Sequence, residues 1–375
     1  MYFLPALLLV LFALSVIVQF YYYLFRFGRV AAYKKADPAE GAAGFTGPIS
    51  VIVSARNERA NLERLLPKLM EQQYQDYEVI VVNDNSTDES KDYLDGFKQQ
   101  FPKLRVIHLE QTPPHITAKK YALTMGIKHA KHNLLVFTDA DCLPASDLWL
   151  ACMAEPFREA EVQIVLGYSP YEAHSGFLNR FIRFETLHTG LMYIGAALAG
   201  KPYMGVGRNM AYRKSFFLET KGFIKHRTIA GGDDDLFVNQ NGTKKNTRVA
   251  IGADAVVYSI PKKTVKEWYR QKLRHMVVGK LYRKSTKWRL GWHAASQLLF
   301  WITFILLLSL WIEPYWILGG FLVRLILLYY VMIAASKKLG ANFTDWSIFL
   351  LDFLFVFYYL FIGIAAFFTK KTTWK

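Results

Sequence analysis

Apolar residues fall into two kinds of run along this chain. Residues 2–25, most of 293–335 and 346–368 are long, nearly continuous apolar stretches. A bilayer core takes about 20 apolar residues per helix, so these stretches predict one N-terminal membrane anchor over 1–25 and about three further membrane helices within 293–369. Between them the runs are short and punctuated. "ISVIVSARNE", "YEVIVVNDNSTD", "LRVIHLE" and "NLLVFTDAD" read as strands, three of which end in polar clusters. "NLERLLPKLMEQQ", "ESKDYLDGFKQQ" and "AKKYALTMGIKHA" carry helical spacing. Strands alternating with helices predict an α/β domain with a mainly parallel sheet, over 48–260. Residues 26–47, with Gly, Ala and Pro, read as a linker, and 370–375 as a tail.

Composition and charge sharpen this picture. Hydrophobic residues make up 53% of the 375, a share that the long apolar stretches account for. The N-terminal stretch has no charged segment before it and no small-residue cleavage site near Tyr21-Tyr22-Tyr23, so it predicts an uncleaved anchor. Arg26, Arg29, Lys34 and Lys35 follow it. The positive-inside rule then makes this an integral protein of the cytoplasmic (inner) membrane with its large domain in the cytoplasm. The net charge of +16 has a local source. Lys262, Lys263, Lys266, Arg270, Lys272, Arg274, Lys280, Arg283, Lys284, Lys287 and Arg289 crowd the segment before the second apolar stretch, opposed by Glu267. Anionic membrane lipids, and no nucleic acid, are the expected partner. Within 264–284, Val265, Tyr269, Leu273, Met276, Val277 and Leu281 share one helical face, so 261–292 reads as basic, amphipathic and interfacial. Two cysteines, Cys142 and Cys152, exclude a disulfide framework and fit a reducing compartment.

The candidate chemistry sits at strand ends, where ligands of α/β sheets bind. Ala55-Arg56-Asn57-Glu58, Asn83 to Asp88, and Asp139-Ala140-Asp141 are expected to meet in one crevice. In extended backbone Asp139 and Asp141 face one side, and oxygen-only ligands select Mg²⁺ or Mn²⁺ shared with a phosphate. Asp84 begins a turn that also offers a helix cap at Ser86 or Thr87, with Asp88 favourable to the dipole. "AGGDDDLFVN" holds Asp233, Asp234 and Asp235 in succession, read either as a helix start or as the source of a general base.

The membrane stretches carry two charges, Arg324 and Asp352. Buried charges in a bilayer are paired or functional, so the two are expected to face one another; snorkelling of Arg324 is the alternative. Glu313-Pro314 marks a short turn between helices. One anchor and three later helices place the C-terminus outside, whereas the basic "KKTTWK" prefers the inside.

Taken together, these motifs resemble the membrane-anchored family-2 glycosyltransferases with a GT-A nucleotide-diphospho-sugar-binding fold, over about 48–290. "VSARNE" looks like the family's first-strand motif, which implies Arg56 and Glu58 near the nucleotide. "VNDNSTD" is similar to VDDGSTD, implying that Asp84 binds base or ribose; Asn83 and Asn85 depart from it, and Asn85 tolerates the left-handed turn. "AKKYALTMG" resembles GKxxALNxG, giving Lys119 a diphosphate-facing role. "TDAD" matches the DxD motif, with Asp139 and Asp141 at metal and nucleotide. "GRNMAYR" resembles an acceptor-side stretch and puts Asn209 there. The acidic triplet matches the family's base motif in two registers: Leu236 as anchor makes Asp233 the base, and Phe237 makes it Asp234, the preferred register. "QKLRH" is similar to QxxRW, implying Gln271 and Arg274 at the acceptor or diphosphate side, with His275 replacing the tryptophan of processive members. The resemblance implies an inverting, metal-dependent transfer from a nucleotide-sugar donor to a lipid-linked or glycan acceptor. The alternatives are a processive polysaccharide synthase and an inactive nucleotide-sugar-binding scaffold.

Overall fold

The structure, a computed structural model, describes residues 3–34 and 44–369. Residues 35–43 of the expected linker, Lys35 among them, and the 370–375 tail lie outside the described residues.

The β-branched runs form strands, of which the central ones are buried on both faces. These are β1 (Ile49–Ala55), β2 (Tyr77–Asp84), β3 (Leu104–Leu109) and β4 (Leu134–Asp139), followed by β5 (Cys142–Pro144), β6 (Ile164–Gly167), β7 (Met210–Arg213), β8 (Thr247–Ala250) and β9 (Val257–Ser259). Seven of them make one sheet in the order β3-β2-β1-β4-β7-β6-β8, and β5 pairs with β9. β7 runs antiparallel to both its neighbours, the other pairings of that sheet are parallel, and β5 and β9 pair antiparallel. Period-two alternation divides the strand side chains between two cores. Ile52, Ile80, Val82 and Phe137 face one side, and Val51, Val53, Val79, Val81 and Val136 face the other. Burying both faces is what makes these strands read as unbroken apolar runs.

The helices are α1 (Phe3–Tyr22), α2 (Gly28–Ala31), α3 (Arg59–Met70), α4 (Ser90–Gln100), α5 (Ala118–His129), α6 (Trp149–Ala154), α7 (Phe177–Leu198), α8 (Lys214–Glu219), α9 (Asp235–Asn241), α10 (Val265–Gly279), α11 (Lys284–Ser309), α12 (Pro314–Lys338) and α13 (Ile348–Phe368). α5 lies close on the sheet because Gly126 has no side chain: a Cβ there would stand 2.8 Å from Ile52. Thr264 caps α10 by accepting the Glu267 N–H at 3.2 Å.

Four helices are long and apolar enough to cross a membrane: Phe3–Ala31, Lys284–Ser309, Pro314–Lys338 and Ile348–Phe368. Two expected boundaries move. The first helix continues through a π-helical turn, Tyr23–Phe27, to Ala31 instead of yielding to a linker at 26. The second begins at Lys284 rather than near 293, because its first turns pack under the α/β domain. The Glu313-Pro314 turn forms, with Glu313 at φ 44° and Pro314 opening α12. On the interfacial helix Trp268, Lys272 and Val278 are buried. Of the expected apolar face, Tyr269, Leu273, Met276 and Val277 are half-buried, and Val265 and, past the helix end, Leu281 are exposed. Lys272 is buried because it forms an ion pair with Glu185 of α7.

Candidate active site

The strand order changes direction between β1 and β4, where a crevice opens at the carboxyl ends. Pairing fixes the levels: Ala55 lies opposite Asn83, and Ser54 opposite Asp139. The Arg56–Glu58 turn, Asp84 and Asp139 therefore leave the sheet side by side. The first two turns are zipped together by side chains. Asn57 and Asn85 take left-handed backbone, φ 56° and 49°. The Asn57 Oδ1 accepts the Thr87 N–H at 2.7 Å. Asp88 accepts from both Arg59 and Ser90 N–H groups, so it serves the starts of α3 and α4 together, and Ser86 and Thr87 are not the cap.

Asp84 is buried, with the Thr112 hydroxyl donating at 3.4 Å and the Arg56 guanidinium forming an ion pair at 3.9 Å. Burial pushes its carboxyl up, against the pull of Arg56. Glu58 is also raised by burial, and the Asn61 amide donates to it.

Asp139 and Asp141 approach one another differently from the strand-alternation expectation. β4 ends at Asp139, and Ala140-Asp141 form a turn before β5. The turn still brings ligand atoms of Asp139, Asp141 and Cys142 within 4.8 Å of one another. Burial and the Asp139 charge push Asp141 up. Burial would raise Asp139 as well, but the Lys119 ammonium, 2.9 Å away, holds it below the usual carboxylate range. Two carboxylates at this separation fit a divalent cation. Burial keeps the Cys142 thiol protonated, so the available donors are hard oxygens, suited to Mg²⁺ or Mn²⁺ rather than a soft metal.

Lys119 also stands 3.6 Å from Asp233, joining the metal-type acids to the triplet. Burial would depress its ammonium, but Asp139, Asp233 and Asp234 outweigh that and raise it. The three triplet acids divide their work. Asp233 is buried against Lys119. Asp234 caps α9: its Oδ1 accepts the Asp235 N–H at 2.7 Å and its Oδ2 the Gly207 N–H at 2.8 Å. Asp235 accepts the Tyr282 hydroxyl at 2.7 Å. Arg274 of α10 is near enough for its charge to act on Asp233, Asp139 and Asp234. Gln271 donates to the Tyr171 hydroxyl at 3.2 Å.

Asn209 is not brought to the crevice. It is wholly buried, accepts the Trp149 indole N–H at 3.0 Å and donates to the carbonyls of Tyr168 and Ala255. Its amide ties three segments together and has no free group for an acceptor. Asn209→Ala is expected to cost about 2 kcal/mol through the partners it strands, read as a lowered melting temperature with unchanged nucleotide affinity.

Three residues that sequence reasoning passed over belong to the site. Arg208 stacks over Tyr171 at 4.9 Å, donates to Ser169, and acts on Asp139 and Asp141. It sits one residue before the Asn209 that drew attention. Lys262 acts on Asp141 and Glu58 from the start of the basic run. Lys120 is buried, and its ammonium donates to the carbonyls of His226 (2.9 Å), Ile229 (2.5 Å) and Gly231 (2.5 Å), fixing the loop before Asp233. Nothing in "AKKYAL" separates its role from that of Lys119.

Comparison with known proteins gives one family. Residues 50–220 match the profile of Glycosyl transferase family 2. The chain is 30% identical over 129 residues to "Glycosyltransferase GlyG" of Streptococcus pneumoniae, covering 34% of this chain and 41% of that protein. It is 24% identical over 230 residues to "Probable glycosyltransferase YdaM" of Bacillus subtilis, covering 60% and 54%. It is 30% identical over 126 residues to a "Beta-monoglucosyldiacylglycerol synthase" of Nostoc, covering 33% and 25%. The chain thus spans about half or less of these curated relatives. Among solved structures, a mannosyltransferase from Pyrobaculum calidifontis in complex with GDP-Man and Mn²⁺ superposes with a TM-score of 0.60 at 18% identity, covering 95% of this chain and 99% of that one. The fold is GT-A, flanked by candidate membrane helices.

Proposed function

We propose, for a chain whose residues 50–220 form a glycosyl transferase family 2 domain, that it moves a sugar from a nucleoside diphosphate donor to a lipid-linked or membrane-proximal glycan acceptor. The transfer inverts the anomeric carbon, uses Mg²⁺ or Mn²⁺, and takes place at the cytoplasmic face of the cytoplasmic membrane. The observation that carries this reading is the joining of Asp139, Lys119 and Asp233, from three separate segments, by contacts of 2.9 and 3.6 Å. The GDP-Man and Mn²⁺ of the solved mannosyltransferase support the donor class and the cation. The diacylglycerol-lipid synthase among the relatives supports an acceptor at the membrane.

The residues of the chain divide the work as follows. Arg56, Glu58 and Asp84 hold the nucleoside end. Lys119, Arg208 and Arg274 stand where negative charge grows on the departing diphosphate; such preorganised donors contribute roughly 3–4 kcal/mol each. A divalent cation on Asp139 and Asp141 would add a further positive charge to that diphosphate. The acceptor hydroxyl oxygen forms its bond to the anomeric carbon as the bond to the diphosphate oxygen breaks, and its proton passes to a carboxylate of the triplet. What supports Asp233 as that base is that Asp234 already accepts two backbone N–H groups and Asp235 accepts Tyr282.

The test is transfer and hydrolysis over a panel of nucleotide sugars, using purified full-length protein with Mn²⁺ or Mg²⁺. Asp139→Ala is expected to be inactive, as is the native protein in EDTA. Full activity of Asp139→Ala with EDTA present removes the metal. No turnover of any donor by the native protein removes the transferase reading.

A further inference from the structure

The first span is 29 residues long, about 43 Å at helical rise, whereas a bilayer core is about 30 Å thick. The 20 residues from Phe3 to Tyr22 are enough to cross that core, which puts the turns that follow at headgroup depth. There the helix takes its π-helical turn, Tyr23–Phe27, a distortion frequent at functional sites. This segment is pressed onto α7, where a Cβ on Gly195 would stand 2.6 Å from the Arg26 carbonyl oxygen. Arg26 is turned inward and is 8% exposed. An arginine that merely snorkels reaches water; this one does not.

α11 runs antiparallel to α1, since Phe12 meets Phe300, Gln19 meets Ser296, and Tyr22 meets Arg289. Its first turns therefore lie at the same depth, on the side of the catalytic domain. Arg26 and Arg289 line one niche together with Tyr22, Tyr203 and Thr286, and among the described residues no carboxylate lines it. Among the described residues, Arg26 donates to the Tyr21 hydroxyl, and Arg289 to the Ser285 carbonyl and the Thr286 hydroxyl. The two guanidinium groups repel one another. A buried and a half-buried cation with no counter-charge among the described residues favour an anion between them, and guanidinium forks match phosphate oxygens. The niche is partly open and offers about 20 Å³, room for one or two water-sized groups. That suits one or two free oxygens of a phosphate that reaches in from outside.

We infer that Arg26 and Arg289 clamp the phosphate of an anionic phospholipid in the leaflet that faces the catalytic domain. This site is independent of the transfer reaction and of the exposed lysines of the basic run. Native mass spectrometry of the full chain, titrated with phosphatidylglycerol in detergent, tests it. The native protein is expected to retain one tightly held phosphatidylglycerol. Arg26→Gln and Arg289→Gln are each expected to retain about fivefold less. Lys98→Gln, an exposed lysine on α4, removes the same charge elsewhere and should leave retention unchanged. Arg289 is partly exposed, so Arg289→Gln remains informative if Arg26→Gln does not fold. Equal retention by Arg289→Gln and the native protein overturns the site. So does equal retention of phosphatidylcholine. Displacement of the lipid by millimolar inorganic phosphate shows a free-anion site instead and overturns the lipid assignment.

Discussion

Asp233→Asn is expected to lower sugar transfer by about 10²–10⁴-fold, the usual contribution of a placed general base, while nucleotide binding survives. The isosteric amide cannot take the acceptor proton, yet it keeps the volume beside Lys119. Asp234→Asn is expected to behave differently. Its Oδ1 caps α9 and its Oδ2 holds the Gly207 N–H, so the loss is mainly a weakened cap of about 1 kcal/mol. That variant should melt earlier and keep most of its turnover. Initial rates with saturating donor, alongside calorimetric nucleotide affinity, separate the two. An inactive, donor-binding Asp234→Asn beside an active Asp233→Asn reverses the assignment.

Arg324→Met is expected to destabilise the membrane part by about 3–5 kcal/mol, because it leaves Asp352 as an unpaired buried charge. Arg324 is wholly buried and donates to Asp352 at 2.8 Å and to Gln19 at 2.6 Å. Gln19 in turn donates to the Ser296 carbonyl and accepts from Tyr23. One network thus joins α1, α11, α12 and α13, and the Arg324 guanidinium also lies 4.4 Å from the Phe300 ring. Asp352→Leu alone strands the arginine and should be as damaging. The double variant Arg324→Met with Asp352→Leu should recover most of the loss, since apolar replacement of a whole buried pair is often neutral. Yield of monodisperse protein and its melting temperature report the outcome. Single variants as stable as the native protein would remove the structural role of the pair.

Much of the architecture was legible in the residues. Continuous apolar stretches named the four spans, and alternating strand and helix signals named the α/β domain. The pairing of Arg324 with Asp352 followed from the cost of a lone charge in an apolar run, and the structure has it. The left-handed Asn85 was legible too, because few residues tolerate that conformation. Helix ends were less so: the first span runs to Ala31 and the second starts at Lys284, where packing extends the helix past its apolar pattern.

Periodicity and residue type determined which segments are buried, which are strands, and which polar clusters lie at strand ends, because those properties are encoded within a few neighbouring positions. The tertiary structure alone decided which polar atoms meet. It turned Ala140-Asp141 out of the strand, buried Asn209 among three segments, and gave three adjacent aspartates three different partners. It also gave adjacent Lys119 and Lys120 unrelated tasks. Those partners lie up to more than a hundred positions apart, and a hydrogen bond is set by distances of a few tenths of an ångström that no local pattern carries.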